Sequence, residues 1–120
     1  MKHIRKLFKR KQKENGDNNY TPKIIFEDVR SVDKSYEYKL QGCMVVGRNP
    51  EKSDISFPDE PTVSERQCRL YTEEGNVYIT DLGGTNITYV NNKKLEDDIA
   101  LRDGDVISFG KVDFYIRIKE

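Results

Sequence analysis

From Lys23 onward, hydrophobic and polar positions alternate along the chain. Tyr36, Tyr38 and Leu40 alternate with Glu37 and Lys39, and Val112, Phe114, Ile116 and Ile118 alternate with Asp113, Tyr115, Arg117 and Lys119. A strand sends successive side chains to opposite faces, so each run puts one face on a core and the other in water. Shorter runs of the same character cover Ile24 to Val29, Met44 to Val46, Arg69 to Thr72, Val77 to Asp81, Thr88 to Val90 and Val106 to Phe109. Glu74-Gly75-Asn76, Asn91-Asn92 and Asp103-Gly104 lie between them and supply residues that tolerate positive φ, as tight turns require. No stretch of this region holds a helical period over three turns. Many short strands with turn chemistry between them predict an all-β fold of two sheets burying their inner faces against each other.

The first nineteen residues break this pattern. Lys-Gln-Lys-Glu-Asn-Gly-Asp-Asn-Asn at 11–19 is a polar run with nothing to bury, so 1–19 reads as a basic tail or linker and 20–120 as the folded domain. Ile4, Leu7 and Phe8 stand at i, i+3 and i+4, the spacing of one face of a short helix. Set among the basic residues of 1–13, they suit weak contact with an anionic membrane surface.

The 120 residues suffice for one domain and one core. A formal net charge of zero conceals an asymmetry. Seven of the 21 Lys and Arg residues but only Glu14 and Asp17 of the 21 acidic ones precede Tyr20, leaving fourteen basic against nineteen acidic residues in the remainder. A domain with a net charge of −5 is a poor partner for nucleic acid, whose phosphate backbone calls for a basic patch on the fold itself. Cys43 and Cys68 are too few and too far apart for a disulfide framework or a zinc knuckle, and the lone His3 sits in the tail. The expectation is a cytoplasmic chain with reduced thiols, no metal and no cofactor, membrane-proximal if it is a fragment of a larger protein.

Three segments carry polar residues that a core does not explain. Gly47-Arg48-Asn49-Pro50 puts an Arg directly after a strand; Ser64-Glu65-Arg66-Gln67 runs into a strand through a Ser; and Asp81-Leu82-Gly83-Gly84-Thr85-Asn86-Ile87-Thr88-Tyr89-Val90-Asn91-Asn92 is a Gly-rich turn with small hydroxyl and amide side chains. Taken singly, each is an ordinary loop or turn, the third with moderate potential to bind an anion. Arg48 offers a planar fork of charged donors, Ser64 and Thr85 offer hydroxyls, and backbone N–H groups near Glu65 and Gly84 add further donors. Asn86 has both a donor and an acceptor, which suits an extended peptide main chain. No nucleophile and base stand beside this set, which reads as binding apparatus rather than an enzyme.

In this order, with Leu101-Arg102-Asp103-Gly104-Asp105-Val106-Ile107 after them, these segments resemble the forkhead-associated (FHA) domain over roughly residues 24 to 118. The resemblance implies a β-sandwich of about eleven strands whose loops at one end bind phosphothreonine peptides. It implies that Arg48, Ser64 and Thr85 contact the phosphate and that Asn86 holds the peptide backbone. The implied function is a phosphopeptide-recognition adaptor acting downstream of a Ser/Thr kinase. The sequence departs from the family pattern in three places: Gln67 stands at a His position that supports the loops, Gly84 where Ser is common, and Ile87 for the Gly of Asn-Gly-Thr. A β-branched residue takes positive φ only at a cost, so the third loop is expected to follow its own path near Ile87. The same departures mark the alternative, a degenerate FHA-like scaffold with phospho-independent protein contacts. A further alternative is a small metabolic regulator that binds its own phosphorylated tail. Thr21 is the sole threonine ahead of the fold, lies beside Pro22, and lacks that group's Thr-Thr motif.

Overall fold

The computed structural model describes residues 20–31 and 33–120. The segment 1–19, read above as a tail, lies outside the described residues. Among these described residues eleven strands form: β1 (Lys23–Asp28), β2 (Ser35–Lys39), β3 (Cys43–Gly47), β4 (Ile55–Ser56), β5 (Cys68–Glu73), β6 (Asn76–Asp81), β7 (Thr88–Val90), β8 (Lys93–Lys94), β9 (Ile99–Leu101), β10 (Val106–Phe109) and β11 (Val112–Lys119). No helix occurs among the described residues. The strands make a six-stranded sheet in the order β2-β1-β11-β10-β7-β8 and a five-stranded sheet in the order β4-β3-β5-β6-β9.

The alternating residues meet between the sheets. Ile24, Phe26, Ile107, Phe109, Val112, Phe114 and Ile116 from the first sheet pack with Val46, Leu70, Val77 and Ile79 from the second. Aromatic rings fill the centre, with Phe57 stacked on Phe114 at 4.6 Å and Phe26 edge-on to Phe114 at 5.5 Å. Each expected run appears as a strand with its ends within one residue of those read from the sequence. The three strands that the alternation did not indicate, β4, β8 and β9, are two or three residues long, too short to show a period. The expected turns have the expected backbone, with positive φ at Glu74 and Gly75, Asn91 and Asn92, and Gly104.

Register decides which loops become neighbours. Val46 near the end of β3 pairs with Cys68 at the start of β5, and Cys68 also pairs with Asp81 at the end of β6. The connections that follow β3, precede β5 and follow β6 therefore leave the same end of the sandwich. Cys43, Tyr71 and the β5–β6 turn mark the opposite end. Thr21 adjoins Pro22, whose carbonyl accepts the Leu40 N–H at 2.9 Å at that opposite end, well away from Arg48.

Candidate functional site

Each candidate residue is held by a backbone that can take few other paths. Gly47 ends β3 against the 64–65 loop; a Cβ there would lie 2.1 Å from the Glu65 carbonyl oxygen, so only glycine permits the approach. Through that contact the Arg48 N–H donates to the Ser64 carbonyl at 2.9 Å and Arg48 Nε donates to the Val63 carbonyl at 2.9 Å. The Arg48 guanidinium is thereby fixed by one edge, and its other N–H groups make no hydrogen bond among the described residues. Val63 is a loop residue but only 1% exposed, and its burial in the core anchors Ser64 beside it.

The third loop closes on the second. The Asn86 N–H donates to Ser64 Oγ at 3.2 Å, and Asn86 Nδ2 donates to the Thr62 carbonyl. Asn86 thus braces the loop with half of its amide, leaving its Oδ1 for another partner. A Cβ on Gly84 would stand 2.5 Å from Ser64 Oγ, which explains a glycine where the family pattern has Ser. Gly83, at φ +74, supplies the left-handed residue of the turn, and its N–H donates to Asp81 Oδ2 at 3.0 Å. Positive φ therefore falls on Gly83, and exposed Ile87 needs none.

Gln67 lies beneath both loops with no solvent exposure. Its Oε1 accepts the Ser64 N–H at 2.9 Å, while its Nε2 donates to the Asn86 carbonyl at 2.7 Å and to Thr88 Oγ1 at 2.9 Å. Thr88 passes the chain on, donating to Asp81 Oδ1 at 2.7 Å. An amide thus does here the supporting work that the resemblance gives to a His ring.

Together these contacts bring Arg48, Ser64, Glu65, Gly84, Thr85 and Asn86 around one open depression of about 580 Å³. Gln67 stays below it. Sequence reasoning missed Lys52 and Arg66, which line the same depression, and the bracing pair Asp81–Thr88. Lys52 gives no signal in the sequence, because only the return of the 48–54 loop carries it to Glu65 at 3.2 Å. That ion pair, with a smaller pull from Arg48, holds the Glu65 carboxyl below its ordinary range. A buried Thr88 opposite Asp81 follows from strand alternation only once the register is known.

The rim bears three cations, Arg48, Lys52 and Arg66, against Glu65, and adds hydroxyl donors at Ser64 and Thr85. Cations and short hydroxyl donors gathered in this way are the chemistry that an anion requires. Among the described residues no group of three or more His, Cys, Asp or Glu side chains is placed to hold a metal ion, and no helix is long and apolar enough to cross a membrane.

Known proteins are similar to this chain. The FHA domain family model matches residues 44–110, which contain all three loops. The oxoglutarate dehydrogenase inhibitor of Corynebacterium efficiens is 41% identical over 71 residues, 59% of this chain and 48% of that protein. The glycogen accumulation regulator GarA of Mycolicibacterium smegmatis is 42% identical over 65 residues, 54% of this chain and 39% of that protein. The match thus spans half or less of the length of these relatives. A solved structure from work on phosphothreonine-dependent FHA domain interactions superposes with a TM-score of 0.69 at 26% identity, covering 82% of this chain and 98% of that one. With eleven strands in two sheets, three loops converging at one end and a family match across them, the chain belongs to the FHA domain family.

Proposed function

We propose that this domain is a non-catalytic adaptor that binds a phosphothreonine-containing segment of a partner protein in the depression formed by the three loops. The observation that carries this reading is the convergence on one anion site of Arg48, Ser64 and Thr85, residues up to 37 positions apart in sequence. Arg48 is held at Nε and directs charge at the phosphate, Ser64 and Thr85 donate hydroxyl hydrogens to it, and Asn86 meets the peptide main chain through its Oδ1. Lys52 and Arg66 add positive potential around the phosphate. The relatives' names, an inhibitor and a regulator, support a role exerted by binding.

Titration of wild type and Arg48→Ala with phosphorylated and unphosphorylated forms of one library-selected peptide tests the reading. Hydrogen bonds to charged groups contribute about 1.5 to 3 kcal/mol each, so Arg48→Ala should weaken the phosphopeptide roughly tenfold to a hundredfold and remove most of the preference for phosphate. Ser64→Ala and Thr85→Ala should each cost less, as one hydroxyl is lost. Melting curves show whether a variant is folded. If wild type binds both peptides alike, the domain is instead a phospho-independent scaffold.

A further inference from the structure

The charges on the rim of the depression are unevenly committed, and the order of the loops explains how. The second loop is the middle one of the three. On one side the first loop binds it: the Arg48 N–H donates to the Ser64 carbonyl at 2.9 Å, the Asn49 N–H to the Glu65 carbonyl at 3.4 Å, and Ser53 Oγ to that same carbonyl at 2.9 Å. On the other side stands the third loop. Its Leu82 N–H donates to the Gln67 carbonyl at 3.2 Å, its Asn86 N–H donates to Ser64 Oγ at 3.2 Å, and a Cβ on Gly84 would lie 3.4 Å from the Arg66 carbonyl oxygen. Glu65 therefore lies against the first loop and Arg66 against the third.

The two halves of the rim differ in free charge. On the first-loop half, Lys52 Nζ pairs with the Glu65 carboxylate at 3.2 Å, and the two cancel. Arg48, held at Nε by the Val63 carbonyl, is left there as the cation of the phosphate position. On the third-loop half, Arg66 is exposed, lines the depression, and has no ion pair or side-chain hydrogen bond among the described residues. A chain held at Asn86 Oδ1 crosses this second half. An extended chain advances about 3.3 Å per residue, so its next two or three residues cover roughly 7 to 10 Å of that rim. The planar guanidinium fork of an arginine meets a carboxylate through two parallel hydrogen bonds.

We propose that Arg66 is a specificity-determining residue that pairs with an Asp or Glu within three positions of the phosphothreonine, on the one flank that crosses the third loop, while the Lys52–Glu65 pair makes the other flank indifferent to charge. The ligand class is then a phosphothreonine segment that is acidic on one side. This rests on the phosphothreonine reading of the same site and adds a direction to it. Glu65 has a part of its own, because its carboxylate occupies Lys52 and keeps a second acidic preference from arising.

Calorimetric titration with phosphothreonine peptides that carry a single Asp, Ala or Lys at each position from three before to three after the phosphothreonine, beside their unphosphorylated forms, tests the assignment. Wild type should bind Asp peptides roughly two- to fivefold more tightly than Ala peptides at one or more positions of a single flank, with Lys weakest there. The gain should shrink at salt concentrations that screen exposed charge. Arg66→Gln should flatten the preference and Arg66→Glu should invert it at the same positions. Glu65→Gln should bring out a preference for Asp on the opposite flank, as Lys52 is released. Melting curves show that each variant is folded. A wild type that prefers the phosphorylated peptides but takes no account of flanking charge, or prefers Asp equally on both flanks, overturns the proposal and leaves the phosphothreonine reading standing. An Arg66→Glu variant that keeps the wild-type order does the same. A wild type with no preference for phosphate overturns both.

Discussion

At position 67 an amide occupies a site from which water is excluded, and it uses both of its ends. Three groups depend on it: the Ser64 N–H, the Asn86 carbonyl and Thr88 Oγ1. A leucine of similar volume leaves each without its partner, and an unmet buried polar group costs about 1 to 3 kcal/mol. Gln67→Leu should therefore lower unfolding stability by about 2 to 4 kcal/mol in urea titration and reduce phosphopeptide affinity as well, although the residue does not line the depression. A variant as stable as wild type would show that the loops hold each other without it. Gly84→Ala probes the same contact from above. The added methyl collides with the short Ser64 side chain, which cannot swing clear, so peptide binding should weaken at least tenfold by calorimetry while stability falls by about 1 to 3 kcal/mol.

The β10–β11 hairpin shows how an element far along the chain reaches the site. Its turn residue Gly110 has φ +63, and a Cβ there would stand 2.2 Å from the Thr62 carbonyl oxygen, while the Lys111 N–H donates to Thr62 Oγ1 at 2.8 Å. That same Thr62 carbonyl accepts from Asn86, so the hairpin supports the second and third loops together. Gly110→Ala should cost about 2 kcal/mol or more and weaken peptide binding, because strain and collision act at once. Gly75→Ala is the matched comparison: its φ is +76 but open space surrounds it, so the loss should be about 1 kcal/mol with binding unchanged. Equal effects on binding in the two variants would disconnect the hairpin from the site.

Across the whole molecule, carboxylates tie the loops and strand ends that frame the sandwich. Asp28, 3% exposed at the end of β1, accepts from the Arg30 N–H at 2.9 Å, Nε at 3.0 Å and Nη2 at 2.8 Å. The side-chain hydrogen bonds from Arg30 hold its carboxyl below the ordinary aspartate value despite its burial. Asp103 is lowered too, chiefly by the Ile118 N–H. A carboxyl whose pKa is lower in the folded than in the unfolded chain contributes stability that is fully present above the unfolded value. That stability is lost as pH falls through the folded one. The urea midpoint should therefore be flat near neutrality and decline in the acid range below the ordinary aspartate value. Asp28→Asn should start lower and decline less steeply. A variant that declines as steeply as wild type would place the acid sensitivity elsewhere.

The alternation from Lys23 determined the fold class, because a period of two with one apolar face leaves only a sheet packed on another sheet. Glu74-Gly75, Asn91-Asn92 and Gly104 likewise marked their turns through local backbone chemistry that needs no partner. Arg48, Ser64 and Thr85 were legible as candidates because their loops, taken together and in order, resemble the FHA motifs, whereas each residue alone is an ordinary loop residue. That they share one depression was decided by register, since Val46, Cys68 and Asp81 come side by side only when β3, β5 and β6 pair. Tertiary structure also decided why Gly47 and Gly84 are glycines: each faces a loop from another part of the chain, a distance no local pattern encodes. It moved the demand for positive φ from position 87 to Gly83, turned Gln67 into a brace, and brought Lys52 and Arg66 to the rim. The division has one physical cause. Backbone preference and the burial of alternate side chains act over a few residues and are written in order along the chain. Close approach, hydrogen bonds between loops and pooled charge depend on distances that exist only once the sheets have packed.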